Sequence, residues 1–312
     1  MTAAVSLDRV VDELVDRLGD SIERDALLGP LTTYRVGGPA AALVTADDDA
    51  TLMSLAGILA GTEVPILTVG LGSNLLVADT GFAGIVVRLG EHFANVEIEG
   101  TAVWAGSAAK LPIVARQTVK AGLTGFEWAV GVPGSVGGAV RMNAGGHGAE
   151  IIDSLAVVQL VDFRTGDLVD RDAASLRLSY RSSALKASDL VVRARFDLAV
   201  GDPDQGERQV AEIVQWRRSN QPGGQNAGSV FTNPPGDSAG RLIDTAGAKG
   251  LRIGSAEVST KHANFIQSDD GGSAADVRAV MREVQRLVLR SHGVELHAET
   301  HLIGFDGPGV ST

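Results

Sequence analysis

The chain has no cysteine among its 312 residues. That absence removes thiol nucleophiles, cysteine-ligated zinc, iron–sulfur clusters and disulfide redox chemistry, along with any need for an oxidising compartment. If electrons are moved, a bound cofactor must carry them. Long apolar runs are missing too. No stretch approaches the ~20 residues that span a bilayer, and the first residues read as an amphipathic helix rather than a signal peptide, which points to the cytoplasm and away from a membrane. Nor is there a block of Lys or Arg: 38 acidic residues outnumber 27 basic ones, and the net charge of −11 is spread along the chain. Nucleic acid and anionic membrane surfaces are therefore disfavoured as partners, and an anionic ligand needs local donors. Tyrosine is scarce, at two residues, Tyr34 and Tyr180.

A chain of this length exceeds the size at which single cores stop growing, so two or three lobes are expected in an α+β fold. The N-terminal pattern predicts a helix capped by Ser6, with Leu7, Val10, Val11, Leu14 and Leu18 on one face and Gly19 as its stop. A short strand from Ala41, a helix over 50–60 and strands over 65–69, 75–77 and 84–89 fill a first lobe, residues 1–89. A hairpin over 96–106, a helix near 111–121 and strands over 155–163 and 190–200 fill a second, residues 90–204. Gly201-Asp202-Pro203-Asp204 is the expected linker, because Gly, Pro and acids in series favour neither helix nor strand. A third lobe, 205–293, runs from a helix around 207–218 to one over 274–291 capped by Ser273 and Asp276. A strand over 296–304 then opens a C-terminal segment, 294–312, that returns to the earlier lobes.

The 39 glycines cluster in Gly70-Leu71-Gly72-Ser73-Asn74, in Gly131–Gly138 and in Asn143–Gly148. Glycine permits positive φ and close approach of a ligand to the main chain, so successive N–H groups there could cradle a pyrophosphate without cationic side chains. Tight turns in a glycine-rich protein are the plainer account of any single loop. Neither of the first two segments fits the G-x-G-x-x-G fingerprint, and Leu75-Leu76-Val77 continues as strand, so a nicotinamide-type Rossmann domain is disfavoured.

Seven segments occur together: Thr33-Tyr34-Arg35-Val36-Gly37-Gly38, Gly70–Val77, Gly131–Gly138 with Met142-Asn143-Ala144-Gly145, Ser179-Tyr180-Arg181-Ser182-Ser183, Ala227-Gly228-Ser229-Val230-Phe231 with Asn233-Pro234, Lys261-His262-Ala263-Asn264-Phe265-Ile266, and Glu299 followed by Ile303-Gly304. In this order they resemble the UDP-N-acetylenolpyruvoylglucosamine reductase (MurB) family. The resemblance implies a two-lobed FAD-binding domain of the vanillyl-alcohol-oxidase (PCMH) type plus an α+β substrate-binding domain. It also implies non-covalent FAD, NADPH as co-substrate and a UDP-sugar substrate reduced to UDP-N-acetylmuramate. Both tyrosines lie inside motifs, so no spare tyrosine closes over the substrate from a separate loop, as in the family's shorter type. The flavin contacts it implies are Tyr34, Arg35, Gly70, Gly72, Ser73, Asn74, Gly131, Pro133, Gly134, Ser135, Gly137, Gly138, Asn143 and Gly145. For the substrate it implies Tyr180, Asn233, Lys261 and Asn264. Four places depart from the commoner pattern: Leu71 for glycine, Gly146-His147 for Ala-Tyr, Thr232 for lysine, and His297-Ala298 for Glu-Pro. Thr232 removes a cation, and Lys261 is expected to meet the diphosphate in its place.

Hydride addition to a carbon–carbon double bond conjugated with a carboxylate builds negative charge on the carboxylate and needs a proton at the neighbouring carbon. By the resemblance, Arg181 and Glu299 stabilise the enolic intermediate and Ser229 protonates it. Taken singly, Arg181 reads as a salt-bridged arginine, Ser229 as a turn residue and Glu299 as an outward residue of an edge strand. A rival comes from period two: His297, Glu299 and His301 would share one strand face and could hold zinc, as in a hydrolase. The glycine loops would then have no purpose, so no metal is expected. An oxygen-using flavin oxidase would not need Ser229, and a silent nucleotide-sugar sensor could dispense with both Ser229 and Arg181.

Overall fold

The computed structural model describes residues 6–305 and 310–311. The first helix, Leu7–Leu18, follows from its sequence: the Ser6 hydroxyl accepts the Arg9 N–H at 3.4 Å, and Val10, Val11 and Leu14 are buried. Each such side chain contributes about 1.5–3 kcal/mol on burial. Gly19 ends the helix at φ +53, a backbone that a Cβ resists.

By its contacts the chain divides into two units, each built from separated segments: Met1–Arg24, Ala41–Leu71 and Gly84–Arg217 form one, and Asp25–Ala40, Gly72–Ala83 and Arg218–Thr312 the other. The first unit holds a four-stranded sheet ordered Ile22–Arg24, Ala40–Ala46, Phe82–Leu89, Ile66–Thr68. It also holds a five-stranded antiparallel sheet ordered Asp167–Asp172, Leu155–Asp162, Asp189–Asp197, Ala102–Gly106, Val96–Glu99. The helix Asp49–Leu59 packs with the first helix on one core, containing Leu14, Val44, Leu55 and Ile85. The helix Leu111–Lys120 packs on another, containing Val114, Phe126, Trp128, Val158 and Phe196.

The second unit has its own core, in which Tyr34, Val36 and Leu76 join Val230, Phe231, Leu242, Val258, Ile266, Val277, Val284 and Leu302. The helix Ala274–His292 supplies much of that core, and Asp79 caps its start by accepting the N–H groups of Ala274 and Ala275, each at 2.9 Å. The strand His301–Ile303 pairs in parallel with Leu75–Val77, in register His301 to Leu75.

Two elements differ from expectation. The stretch read as a linker is helical from Pro203, because Pro at a first helical position forgoes an N–H that would be unpaired there, and Asp202 Oδ1 accepts the N–H groups of Asp204 at 2.9 Å and Gln205 at 3.4 Å. That helix, Pro203–Asn220, sends Val210 and Ile213 into the core containing Val114. The last strand is shorter than predicted. His301–Ile303 forms the strand, while Ala298 makes only an isolated bridge to Phe231, because the Val230 carbonyl takes the N–H of both Glu299 (2.8 Å) and Thr300 (3.3 Å) and breaks the ladder between them. His297, Glu299 and His301 therefore do not line one strand face. Of the expected C-terminal segment, residues 306–309 and 312 lie outside the described residues.

Candidate functional site

In the first unit, the glycine segment 131–138 turns a corner held by Ser107 and Ala109. The Val136 N–H donates to the Ala109 carbonyl at 2.9 Å and the Gly137 N–H to the Ser107 carbonyl at 3.0 Å. Ser135 caps the helix Val136–Arg141 by accepting the Gly138 N–H at 3.5 Å. Four consecutive amides, from Val136 to Ala139, are thus already used by the protein, which corrects the expectation of a continuous row of exposed donors. Among the described contacts, none engages the N–H of Gly134 or Ser135. The glycines divide by what faces them. A Cβ at Gly70 would collide with Ser135 Oγ, one at Gly137 with Ser107 Oγ, and one at Gly131 would crowd His147 and Ile213 at 3.1 Å. Gly138 is exposed, and a Cβ there would meet only Ser135 Oγ, at 3.6 Å. Pro133 is exposed beside it.

Also in this unit, Ser179 and Ser182 exchange two backbone hydrogen bonds of 3.0 Å, making a tight turn of Tyr180 and Arg181. Arg181 sits at φ +54 with its guanidinium 5.0 Å from the Tyr180 ring centroid, and Tyr180 is half exposed. The guanidinium donates to the carbonyls of Gly145 (3.1 Å) and Asn143 (3.5 Å). His147, also at positive φ, meets Trp216 edge-on at 5.1 Å, and burial followed by the Arg217 charge lowers its pKa. A cavity of about 540 Å³ elsewhere in this unit, lined by Thr45, Asp47, Arg88 and Lys110, contains none of the predicted site residues.

The second unit brings Ser229 and Glu299 onto neighbouring, hydrogen-bonded segments. Asn226 Oδ1 accepts the Gly228 N–H at 3.0 Å, and Gly228 turns at φ +75 to present Ser229, half-buried, immediately before Val230. Glu299 donates its N–H to Val230, and Asn74 Nδ2 donates to the Glu299 carbonyl at 3.0 Å. The Ser229 hydroxyl makes no hydrogen bond among the described residues. Gly72, at φ +60, packs so closely on Leu31 that a Cβ would collide with the Leu31 carbonyl and lie 2.7 Å from Thr32 Cα. Ser73 follows it, half-buried. Tyr34 is fully buried, and burial pushes its phenol well above the usual range, only partly offset by the Ala227 main chain. Arg35 adopts φ +55 beside it.

Three residues predicted as substrate contacts have internal tasks. Asn264 is 4% exposed and clamps one residue with both ends of its amide: its Oδ1 accepts the Phe231 N–H at 3.0 Å and its Nδ2 donates to the Phe231 carbonyl at 2.8 Å. Asn233 Oδ1 accepts the Ala239 N–H at 3.0 Å, and Lys261 Nζ donates to the Arg218 carbonyl at 2.6 Å. Asn264→Asp would turn a donor into an acceptor facing the Phe231 carbonyl. We expect it to cost about 1–3 kcal/mol of stability in a denaturant titration.

Two family models match the chain: an FAD binding domain over residues 40–171, and the C-terminal domain of UDP-N-acetylenolpyruvoylglucosamine reductase over 219–303. A reductase of that name from Acidiphilium cryptum is 42% identical over 288 residues, 92% of this chain and 93% of its own. One from Parvibaculum lavamentivorans is 40% identical and covers 97% of each. The chain belongs to the UDP-N-acetylenolpyruvoylglucosamine reductase family. Among solved structures, the reductase from Thermus caldophilus aligns with a TM-score of 0.80 at 38% identity, over 90% of this chain and 98% of that one. A glucose dehydrogenase, Phl p 4.0202, shares the fold alone, with a TM-score of 0.51 at 17% identity over 68% of this chain and 50% of that one. The fold is thus α+β, with the two-lobed FAD-binding domain of the vanillyl-alcohol-oxidase type.

The residues fit the flavin this family uses. Gly138 is exposed at the helix start with only Ser135 Oγ near a Cβ, and no described contact engages the N–H of Gly134 or Ser135; main-chain N–H groups are neutral donors for a diphosphate in an acidic chain. Sequence reasoning missed Ser107 and Ala109, which hold that corner, and the link from Asn74 to Glu299.

Proposed function

We propose that Ser229, Glu299 and Arg181 carry the substrate half of an NADPH-dependent reduction of UDP-N-acetylglucosamine enolpyruvate to UDP-N-acetylmuramate, a step of peptidoglycan precursor synthesis. FAD, when bound, supplies the hydride to the terminal methylene carbon. Residues around Gly70–Asn74 and Gly134–Gly138, with Tyr34 and Arg35, hold it. NADPH is the reductant.

Hydride addition leaves an electron pair on the carbon next to the carboxylate, spread into an enolate. Ser229 gives its hydroxyl proton to that carbon; a serine is a weak acid, but so basic a carbon accepts from it. Arg181 meets the developing charge with a planar cationic fork. Glu299 acts on the same enolic intermediate. Asn233, Tyr180 and Lys261 serve the nucleotide sugar, with Lys261 taking the place of the cation that Thr232 does not provide. An absence of cysteine and a nucleotide-sugar substrate support the cytoplasm as the compartment; among the described residues no helix is long and apolar enough to cross a membrane.

The observation that carries these roles is the pairing in the second unit: a half-buried serine presented by a glycine turn, with Glu299 hydrogen-bonded to the next residue along. Arg181→Lys keeps the charge and loses the fork. In anaerobic rapid mixing, Arg181→Lys and Glu299→Gln should keep their FAD and bleach with NADPH, yet reoxidise with substrate at least tenfold more slowly. Unchanged reoxidation in both would misplace the roles.

A further inference from the structure

We propose that Asn143 is a positioning residue for Arg181, acting by holding the turn that carries it. This rests on the role given to Arg181 above.

Asn143 is fully buried at φ +40. Its amide is used up within the protein. Oδ1 accepts the Ile152 N–H at 3.0 Å, while Nδ2 donates to Glu150 Oε2 at 2.8 Å and to the Ser179 carbonyl at 3.1 Å. A primary amide has two N–H donors, and both are spent. The side chain therefore has no donor left for a flavin, and its reach to Ser179 has a different purpose.

Ser179 is one end of the two-residue turn whose second residue is Arg181. Arg181 sits in the left-handed region at φ +54, which a long side chain adopts only when its surroundings hold it there. Asn143 supplies hold from two directions. Its side chain pins the carbonyl at the start of the turn, and its own carbonyl, with that of Gly145, takes the guanidinium. The same loop is anchored below by Glu150, whose N–H donates to Asp153 at 2.8 Å and whose carboxylate receives the amide. Gly145 is confined to glycine here, since a Cβ would lie 2.6 Å from Glu150 Cγ. The guanidinium is thereby aimed by main-chain oxygens set by one buried amide. A planar donor fork loses effect quickly when tilted away from a carboxylate, so a loosened turn should cost rate rather than cofactor.

Asn143→Gly removes the amide and keeps a residue content with positive φ. Asn143→Ala likewise removes the amide without setting a carboxylate against Glu150, so it serves if the glycine variant folds poorly. For each, FAD content, thermal midpoint, NADPH bleaching and substrate reoxidation are measured, alone and combined with Arg181→Lys. We expect FAD content and bleaching within about twofold of native. The maximal reoxidation rate should fall about ten- to hundredfold, as for a misplaced catalytic group, with half-saturation changed less. In the Arg181→Lys background, the Asn143 change should add less than about twofold, because a residue acting only through Arg181 has nothing further to lose. Loss of FAD in the folded variants would overturn the proposal, as would losses that multiply in the double variant. If Arg181→Lys alone leaves reoxidation native, the role of Arg181 fails and this one with it; if Arg181→Lys is slow and Asn143 variants are native, only the positioning role fails.

Discussion

Ser229→Ala should fold, retain FAD and bleach with NADPH at the native rate, yet reoxidise with enolpyruvyl UDP-N-acetylglucosamine about a hundred- to ten-thousandfold more slowly, the range for losing a positioned general acid. The substitution removes one oxygen that makes no hydrogen bond among the described residues, so nothing in the fold is left unpaired. The Gly228 turn and the bond from Glu299 to Val230 depend on main chain and on Asn226, and they survive it. Ser229→Cys should recover part of the rate, since a thiol is the stronger acid, although its longer bond displaces the proton. Rapid mixing of the reduced protein with substrate under anaerobic conditions follows the second half alone. Equal slowing of both halves would assign Ser229 to pocket shape instead.

A contrast between two glycines should be nearly as large. Gly138→Val places its side chain in open space beside the helix start, so the protein should fold with a near-native thermal midpoint and lose most of its FAD, read from the ratio of flavin to protein absorbance. Gly72→Val should fail differently. It forces a branched residue to φ +60 against the Leu31 carbonyl, so the second unit itself should be destabilised by several kcal/mol, beyond the ~1–3 kcal/mol for the backbone strain alone. Gly137→Val should cost less than Gly72→Val, because it lies at ordinary φ and meets chiefly the Ser107 hydroxyl, which can turn aside. If Gly138→Val kept full flavin while folding normally, the cradle would lie elsewhere.

The sequence made the elements legible where local patterning decides them: the first helix with its Ser6 cap, the hairpin Val96–Glu99 with Ala102–Gly106, and the helix Ala274–His292 with its Ser273 cap. Helix and strand periodicities are local, and the chain reports them directly. The family motifs likewise pointed to Arg181, Ser229 and Glu299, and the last two come onto bonded segments. What stayed hidden depends on partners distant in sequence. A glycine that admits a ligand and one that admits Leu31 or Ser107 look alike until the facing atom is known. The same holds for buried amides. Asn143, Asn264 and Asn74 sit inside motifs suggestive of ligands, yet their hydrogen bonds run to Ser179, Phe231 and Glu299. The linker expectation failed because Pro and Asp break elements in their interior, whereas at a helix start the same pair nucleates and caps.

The composition of the second core bears on how the chain folds as it is made. Tyr34, Val36 and Leu76 leave the ribosome early, but every other member of that core lies between Ala227 and Leu302. The core containing Val114 and Phe196, by contrast, draws only on residues from Val103 to Ile213. During synthesis that core can close while the early tyrosine and leucine still wait for partners, leaving a span of apolar surface exposed for the translation of some two hundred residues, on the order of ten to forty seconds. The parallel pairing of His301–Ile303 with Leu75–Val77 becomes available only after nearly all of that core has been made. Premature termination anywhere after the first core should therefore yield a product whose early segments remain sticky, and a chaperone acting on this protein would find its client surface near the N-terminus rather than at the growing end.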